Sequence, residues 1–255
     1  MLSPFFSTVL LPLLVTPALS QNFTISNGQI FTPGFAVLDS PQPGTPMGGD
    51  TIEIALDVTA NGILPLDVAA DSPSRINNIT IFLYSFDSGR NFTVSNGTAS
   101  SNNASLGEIM SQEPGSTVKH VKWTWPACLA GDGQPTTTDS DRGIYNISIR
   151  QNFVMNNTDF YTIFDVPISV TNSIPSSISR AQCDALNNPL LTPEQVNASA
   201  ANSVGVLFAP GGSQEVQVKL DKADSGQGLG GAGMLNWRSG AEWLCLVTLA
   251  MAFAF

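Results

Sequence analysis

Val118-Lys119-His120-Val121-Lys122-Trp123-Thr124-Trp125-Pro126-Ala127-Cys128 is the stretch from which the fold is read. Val121, Trp123 and Trp125 alternate with His120, Lys122 and Thr124. Successive side chains of an extended strand point to opposite faces, so this spacing predicts a strand with one buried face. Pro126 has no amide hydrogen to give to a ladder and ends it. The same period of two recurs upstream, where Ile52, Ile54, Leu56 and Val58 alternate with Thr51, Glu53, Ala55 and Asp57. It recurs downstream, where Tyr145, Ile147 and Ile149 alternate with Asn146, Ser148 and Arg150. Half-buried strands of this kind belong to antiparallel sheets.

Working outward, Ile79 to Phe86 is apolar on both sides, with Ile79, Ile81 and Leu83 on one and Phe82, Tyr84 and Phe86 on the other. Asp87-Ser88-Gly89 is a hairpin signal into Arg90 to Val94. Phe153 leads to a turn at Asn156-Asn157 and a return over Phe160 to Val170, where Pro167 marks an edge or a bulge. Ile25 to Asp39 holds an opening strand or two, interrupted by Thr32-Pro33-Gly34. About seven strands between Gln21 and Asn172, without a strong helix, predict an all-β fold. The turn spacing points to an immunoglobulin-like antiparallel β-sandwich. After Ile174 the chain reads as a mostly irregular extension. Ser176 to Leu186 is a short helix or loop, Thr192-Pro193-Glu194-Gln195 starts a short helix, and Val206 to Phe208 and Val216 to Leu220 read as strands.

The two ends are apolar. Phe5 to Val15 has the length of a secretory core, and Ala18-Leu19-Ser20 supplies the small residues of a cleavage site before Gln21, although no Lys or Arg precedes it. Ser225 to Gly233 is a small-residue patch, Met234 to Glu242 a nine-residue spacer and Trp243 to Phe255 an apolar run of 13 residues. That run is shorter than the ~20 residues of a membrane-spanning helix. The order is that of a glycosylphosphatidylinositol attachment signal, with Gly231 as the candidate attachment residue and Ser225 and Gly230 as alternatives. The expected organisation is therefore a signal peptide over 1–20, the sandwich over 21–174 and an extension over 175–222. A Gly/Ser spacer with the attachment region follows over 223–233, and a removed propeptide over 234–255.

Cys245 falls in the discarded tail, which leaves Cys128 and Cys183 as an even pair in an oxidising compartment. They are expected to form a disulfide that ties the extension back, worth about 4 kcal/mol for a loop of this length in the chain-entropy description. Eight Asn-x-Ser/Thr sequons, at Asn22, Asn78, Asn91, Asn96, Asn103, Asn146, Asn156 and Asn197, are candidate glycan carriers and therefore surface positions. Most are expected to be used. Asn146 falls on the polar side of its strand, in agreement with the register read from Tyr145, Ile147 and Ile149.

The chain carries 10 Lys and Arg against 20 Asp and Glu, a net charge of −10. An acidic chain without a basic cluster argues against nucleic acid as a partner. His120 is the only histidine, and without a nucleophile elbow it reads as a solvent-facing side chain rather than part of a triad. Two cysteines and one histidine make a poor zinc site. Asp132, Asp139 and Asp141 share a loop but lack the Gly and Glu of an EF-hand, so they read as turn formers. The five Glu of the mature chain, Glu53, Glu108, Glu113, Glu194 and Glu215, lie in no glycosidase motif. Trp123 and Trp125 share a face; exposed, they would stack on sugar rings, and buried, they are core.

Leu38-Asp39-Ser40-Pro41 through Gly48-Gly49-Asp50-Thr51-Ile52-Glu53-Ile54 resembles the start of one fungal family. Ile79-Thr80-Ile81-Phe82-Leu83, Trp123-Thr124-Trp125-Pro126 and Tyr145-Asn146-Ile147 resemble its later strands. These are Ser/Thr-rich GPI-anchored cell-wall proteins whose N-terminal domain is shared with β-1,6-glucan assembly proteins. The family usually carries a Trp in its second strand, where this chain has Ala55 to Asp57, and the spacings here are longer. The resemblance covers Leu38 to Val170. It implies an immunoglobulin-like domain and a role at the cell wall, and it brings no catalytic residue. The expected protein is thus secreted, N-glycosylated and held on the outer leaflet by a lipid anchor. It has a non-catalytic structural or glycan-binding role, with cell-wall polysaccharide as the candidate partner and no cofactor. The alternatives are a carbohydrate-active hydrolase using Asp/Glu pairs and an adhesin for a protein partner.

Overall fold

The computed structural model describes residues 21–95, 109–113, 115–137, 139–192, 194–196 and 204–218. Ten strands precede Asn172: β1 Gln21–Ser26, β2 Gln29–Phe31, β3 Val37–Ser40, β4 Pro46–Met47, β5 Thr51–Asp57, β6 Arg75–Ser85, β7 Arg90–Ser95, β8 Val118–Thr124, β9 Gly143–Met155 and β10 Thr158–Val170. A four-residue helix, α1 Cys183–Leu186, and β11 Gln214–Val218 follow. The all-β expectation holds. The expected count of about seven is too low, because β2, β3 and β4 are two to four residues long. Strands that short show at most two alternations, too few to register as a period.

Two sheets form. One has six strands in the order β11-β1-β2-β3-β5-β8, the other five in the order β4-β10-β9-β6-β7. Their contents follow from the alternation. Ile52, Ile54 and Leu56 are fully buried on β5, Val121 and Trp123 are buried on β8, and Trp125 is buried just beyond it. Tyr145, Ile147 and Ile149 answer from β9, and Ile79, Ile81 and Leu83 from β6. Ring pairs cross the interface between the sheets: Phe23 with Phe164 at 5.7 Å, Phe35 with Phe153 at 5.1 Å and Phe92 with Trp123 at 5.7 Å. Burial of such a side chain contributes roughly 1.5–3 kcal/mol, so this face-to-face packing carries most of the fold's stability.

Polar side chains also reach inside. Gln151 of β9 is completely buried, accepts from the Ala36 amide at 2.9 Å and donates to Thr32 Oγ1 at 2.7 Å. Gly34 passes over it so closely that a Cβ there would sit 2.5 Å from Gln151 Oε1. Lys119, on the inward side of β8, is buried and ends its stem at the Glu113 carbonyl, 3.1 Å away.

The β9–β10 hairpin turns at Asn156 and Asn157, both at positive φ, which Asn tolerates better than most residues. Pro167 lies on β10 opposite Asn146, and the β9–β10 ladder runs past it in register. Beyond Ile174 the chain folds back. Cys128 and Cys183 are bonded, with Cα atoms 5.9 Å apart, inside the normal range. Thr192 and Gln195 form the reciprocal bonds of a capping box at 2.8 and 3.3 Å. Val206 to Phe208, expected as a strand, is irregular. Phe208 is held instead by stacking on Phe35 at 5.0 Å, a contact that needs no ladder. The expected last strand is present as β11, and it joins β1 from Gln21↔Val218 to Ile25↔Gln214. The expected signal peptide, spacer, attachment region and propeptide lie outside the described residues.

Candidate functional site

The outer face of the five-stranded sheet carries the most chemically distinctive cluster. Because β6 was apolar on both sides, its second face had to be covered or used. Phe82 and Tyr84 point there, with Ser148 and Arg150 from β9 and Asp165 from β10. Phe82, Ser148 and Asp165 are in register across the three strands. Tyr84 reaches diagonally over β9 and donates its hydroxyl to Asp165 Oδ2 at 2.9 Å. The Arg150 guanidinium lies over the Phe82 ring, 4.3 Å from its centre, a cation–π contact. Asp165 Oδ1 and Arg150 Nε are buried with no hydrogen-bond partner among the described residues.

Burial sets the electrostatics of this cluster. It pushes the Asp165 carboxyl above its ordinary value, an effect that the Ser148 and Tyr84 hydroxyls and the Arg150 charge only partly offset. Burial likewise pushes the Tyr84 phenol far up, with the Asp165 carboxylate adding to it. Beside the cluster lies a shallow depression, open to solvent and lined by Tyr84, Asn91, Arg150, Leu190, Leu191 and Val196, with a cavity volume of only about 10 Å³. That is room for about one water molecule, far below the roughly 300–1,000 Å³ of ordinary small-molecule sites.

Most other carboxylates hold the fold. Asp57 accepts from the Thr59 amide and hydroxyl and from the Asn61 amide at 2.8–3.1 Å. Asp141 and Asp184 both grip Arg90, at 2.7 and 2.6 Å. Asp50 meets Arg180 at 3.0 Å, and Glu53 meets Lys122 at 3.2 Å. Glu113 holds the His120 amide and Nδ1, each at 2.9 Å, and these bonds lower its pKa. His120 itself stays partly exposed, as its place on the polar side of β8 predicts. Asp132 caps the Gly133 amide at 2.9 Å, so two of the loop aspartates act locally or on Arg90. Among the described residues no group of three His, Cys, Asp or Glu is arranged to hold a metal ion.

The two tryptophans are core. Trp125 is fully buried and donates Nε1–H to the Gly48 carbonyl at 3.2 Å, and Trp123 is 4% exposed. The sugar-stacking reading of Trp123 and Trp125 is corrected accordingly, because rings closed between two sheets offer no face to a ligand. The sequons divide. Asn22 and Asn156 are exposed, and Asn78 and Asn146 are half-buried on the outer sides of β6 and β9. Asn91 is buried, with its amide nitrogen donated to the Pro189 carbonyl at 2.9 Å, so the expectation that it is a surface position is corrected. Asn96, Asn103, Asn197 and Gly231 lie outside the described residues.

Sequence reasoning missed Asp165, Arg150, Gln151 and Arg180. The double-sided apolar pattern of Ile79 to Phe86 pointed to the face on which the first two lie, but not to those residues themselves. Arg180 had no such pointer, because its bonds to Pro175, Trp125 and Asp50 depend on the chain folding back. No family model, no curated protein and no solved structure matches the chain.

Proposed function

We propose that the chain is a secreted, N-glycosylated, GPI-anchored surface protein with a non-catalytic, structural role, built on an immunoglobulin-like sandwich. The strand order supports the fold reading. β3, β5 and β8 lie side by side in one sheet, as A, B and E do, and β10, β9, β6 and β7 in the other, as G, F, C and C′ do. Tyr145 near the start of β9 donates its hydroxyl back to the Asp141 carbonyl at 2.6 Å, the bond of a tyrosine corner. This is also the fold implied by the resemblance to fungal cell-wall proteins.

The observation that carries the non-catalytic reading is the employment of the carboxylates. Asp50, Asp57, Asp141, Asp184, Glu53 and Glu113 each hold a cation or a backbone amide. A glycoside hydrolase needs two carboxyls facing one cleft. Trp123 and Trp125, closed in the core, offer no stacking platform to wall polysaccharide.

The β1–β11 pairing fits an anchored chain. Val218 sits beside Gln21, and 13 residues lead from it to Gly231. Fully extended they span at most ~45 Å, so the domain would stand close to the membrane. Treating cells with phosphatidylinositol-specific phospholipase and sequencing the released C-terminal peptide tests the reading. A peptide ending near Gly231 with a glycolipid remnant is expected; a peptide that continues through Trp243 to Phe255 would refute it.

A further inference from the structure

β7 is an edge strand of the five-stranded sheet, yet its outer edge is covered. The strap Asn187-Asn188-Pro189 lies along it, bridging at Phe92↔Asn187. The Asn91 amide donates to Asn187 Oδ1 at 2.8 Å, and the Asn188 amide donates to the Asn91 carbonyl at 2.8 Å. Asn188 Nδ2 adds bonds to the Asn91 carbonyl and to Thr93 Oγ1, both at 3.0 Å. Asn91 Nδ2 closes the set by donating to the Pro189 carbonyl at 2.9 Å. The strap is pinned upstream by the Arg90–Asp184 pair and the Cys128–Cys183 disulfide.

Asn91-Phe92-Thr93 is also a sequon, and Nδ2 is the atom that would carry the sugar. Asn91 is 6% exposed, and its Oδ1 is buried without a partner. We propose that glycosylation at Asn91 and closure of the strap exclude one another, so that Asn91 is a latch. Bare, it fastens the strap; glycosylated, it leaves the β7 edge open. The proposal rests on the secretion reading above. Modification would join C1 of an oligosaccharide to Nδ2, with loss of one amide proton and departure of the lipid pyrophosphate that carried the sugar. That group would have to enter where Nδ2 now lies 2.9 Å from the Pro189 carbonyl.

Timing makes the choice a competition. Asn187 follows Asn91 by 96 residues, about 5–20 s of synthesis. During that interval the sequon has no strap to hide it. An edge left open presents the unpaired amides and carbonyls of β7 to any other strand.

The test uses the full chain secreted from eukaryotic cells. Deglycosylation in heavy-oxygen water reports occupancy at each sequon, and hydrogen exchange of the 187–191 peptide reports the strap. Molecules bare at Asn91 should protect the strap, and molecules glycosylated there should exchange it at least tenfold faster. Asn91→Gln, which removes the sequon and displaces the amide by one methylene, should also exchange it tenfold faster. Either a protected strap under an Asn91 glycan, an unprotected strap beside a bare Asn91, or full protection in Asn91→Gln overturns the latch. Absence of glycan at Asn22, Asn156 and Asn91 together would sink the secretion reading and the modification with it. Glycan at Asn22 and Asn156 with a protected strap under an Asn91 glycan would sink the latch alone.

Discussion

Replacing Trp125 by alanine separates the core from the sugar-binding reading more sharply than any other single change. The side chain is fully buried, packs edge-on against Trp123 at 6.1 Å and donates its indole N–H to Gly48. Truncating a buried Trp costs ~3–5 kcal/mol, of which the lost hydrogen bond is ~1 kcal/mol. A domain whose whole stability is ~5–15 kcal/mol would lose a large part of it. For a domain of this size the melting temperature should fall by about 6–20 °C. Trp125→Phe keeps most of the ring and loses the donor, so about 1–2 kcal/mol is expected. Urea unfolding followed by far-ultraviolet circular dichroism measures both, because that signal does not depend on the tryptophan removed. A Trp125→Ala loss below ~1 kcal/mol, accompanied by lost binding to wall glycans, would refute the placement of this ring in the core.

Other expectations follow from named contacts. Cys128→Ser with Cys183→Ser should lower stability by about 4 kcal/mol, since the bridge closes a loop with a sequence separation of 55; equilibrium unfolding with and without reductant checks it. Gly48→Ala should cost ~1–3 kcal/mol, because the new Cβ would lie 2.6 Å from Asn172 Cβ and 2.8 Å from its backbone. Asp165 has a folded-state pKa above the ordinary 3.8, so the folded protein holds this proton more tightly than the unfolded chain. Stability from this group is then present below 3.8 and is lost as pH rises through the folded value. Asp165→Asn should therefore gain stability relative to wild type as pH rises, and melting curves from pH 3 to 7 that keep a constant difference would refute it. Tyr84→Phe removes a hydrogen bond that lowers the Asp165 pKa, so it should extend that window upward.

The outer-face cluster was legible only in outline. Phe82 and Tyr84 pointed to a second, partly covered face on β6, because large apolar side chains on both sides of a strand leave neither side simply for water. Asp165 and Arg150 gave no such warning, since one charged residue on an outward position looks the same exposed or buried. The burial of Asn91 was hidden for a related reason. A sequon is a local pattern, and what closes over Asn91 comes from Asn187 to Pro189, nearly a hundred residues on.

The sequence by itself determined the strands that are long enough to repeat. The inward sets Ile52, Ile54, Leu56 and Val121, Trp123, Trp125 follow from the two-residue period of an extended chain, which is set by local stereochemistry alone. The pairing of Cys128 with Cys183 followed only with the expectation that Cys245 is removed with the tail. Tertiary structure alone decided which strands share a sheet, that Trp123 and Trp125 face another layer rather than solvent, and that Asp165, Tyr84 and Arg150 meet. It also decided that β7 has a covered edge. Period two fixes which residues share a face but not what that face meets. That depends on contacts between distant segments, whose free energies appear only when the chain has closed on itself.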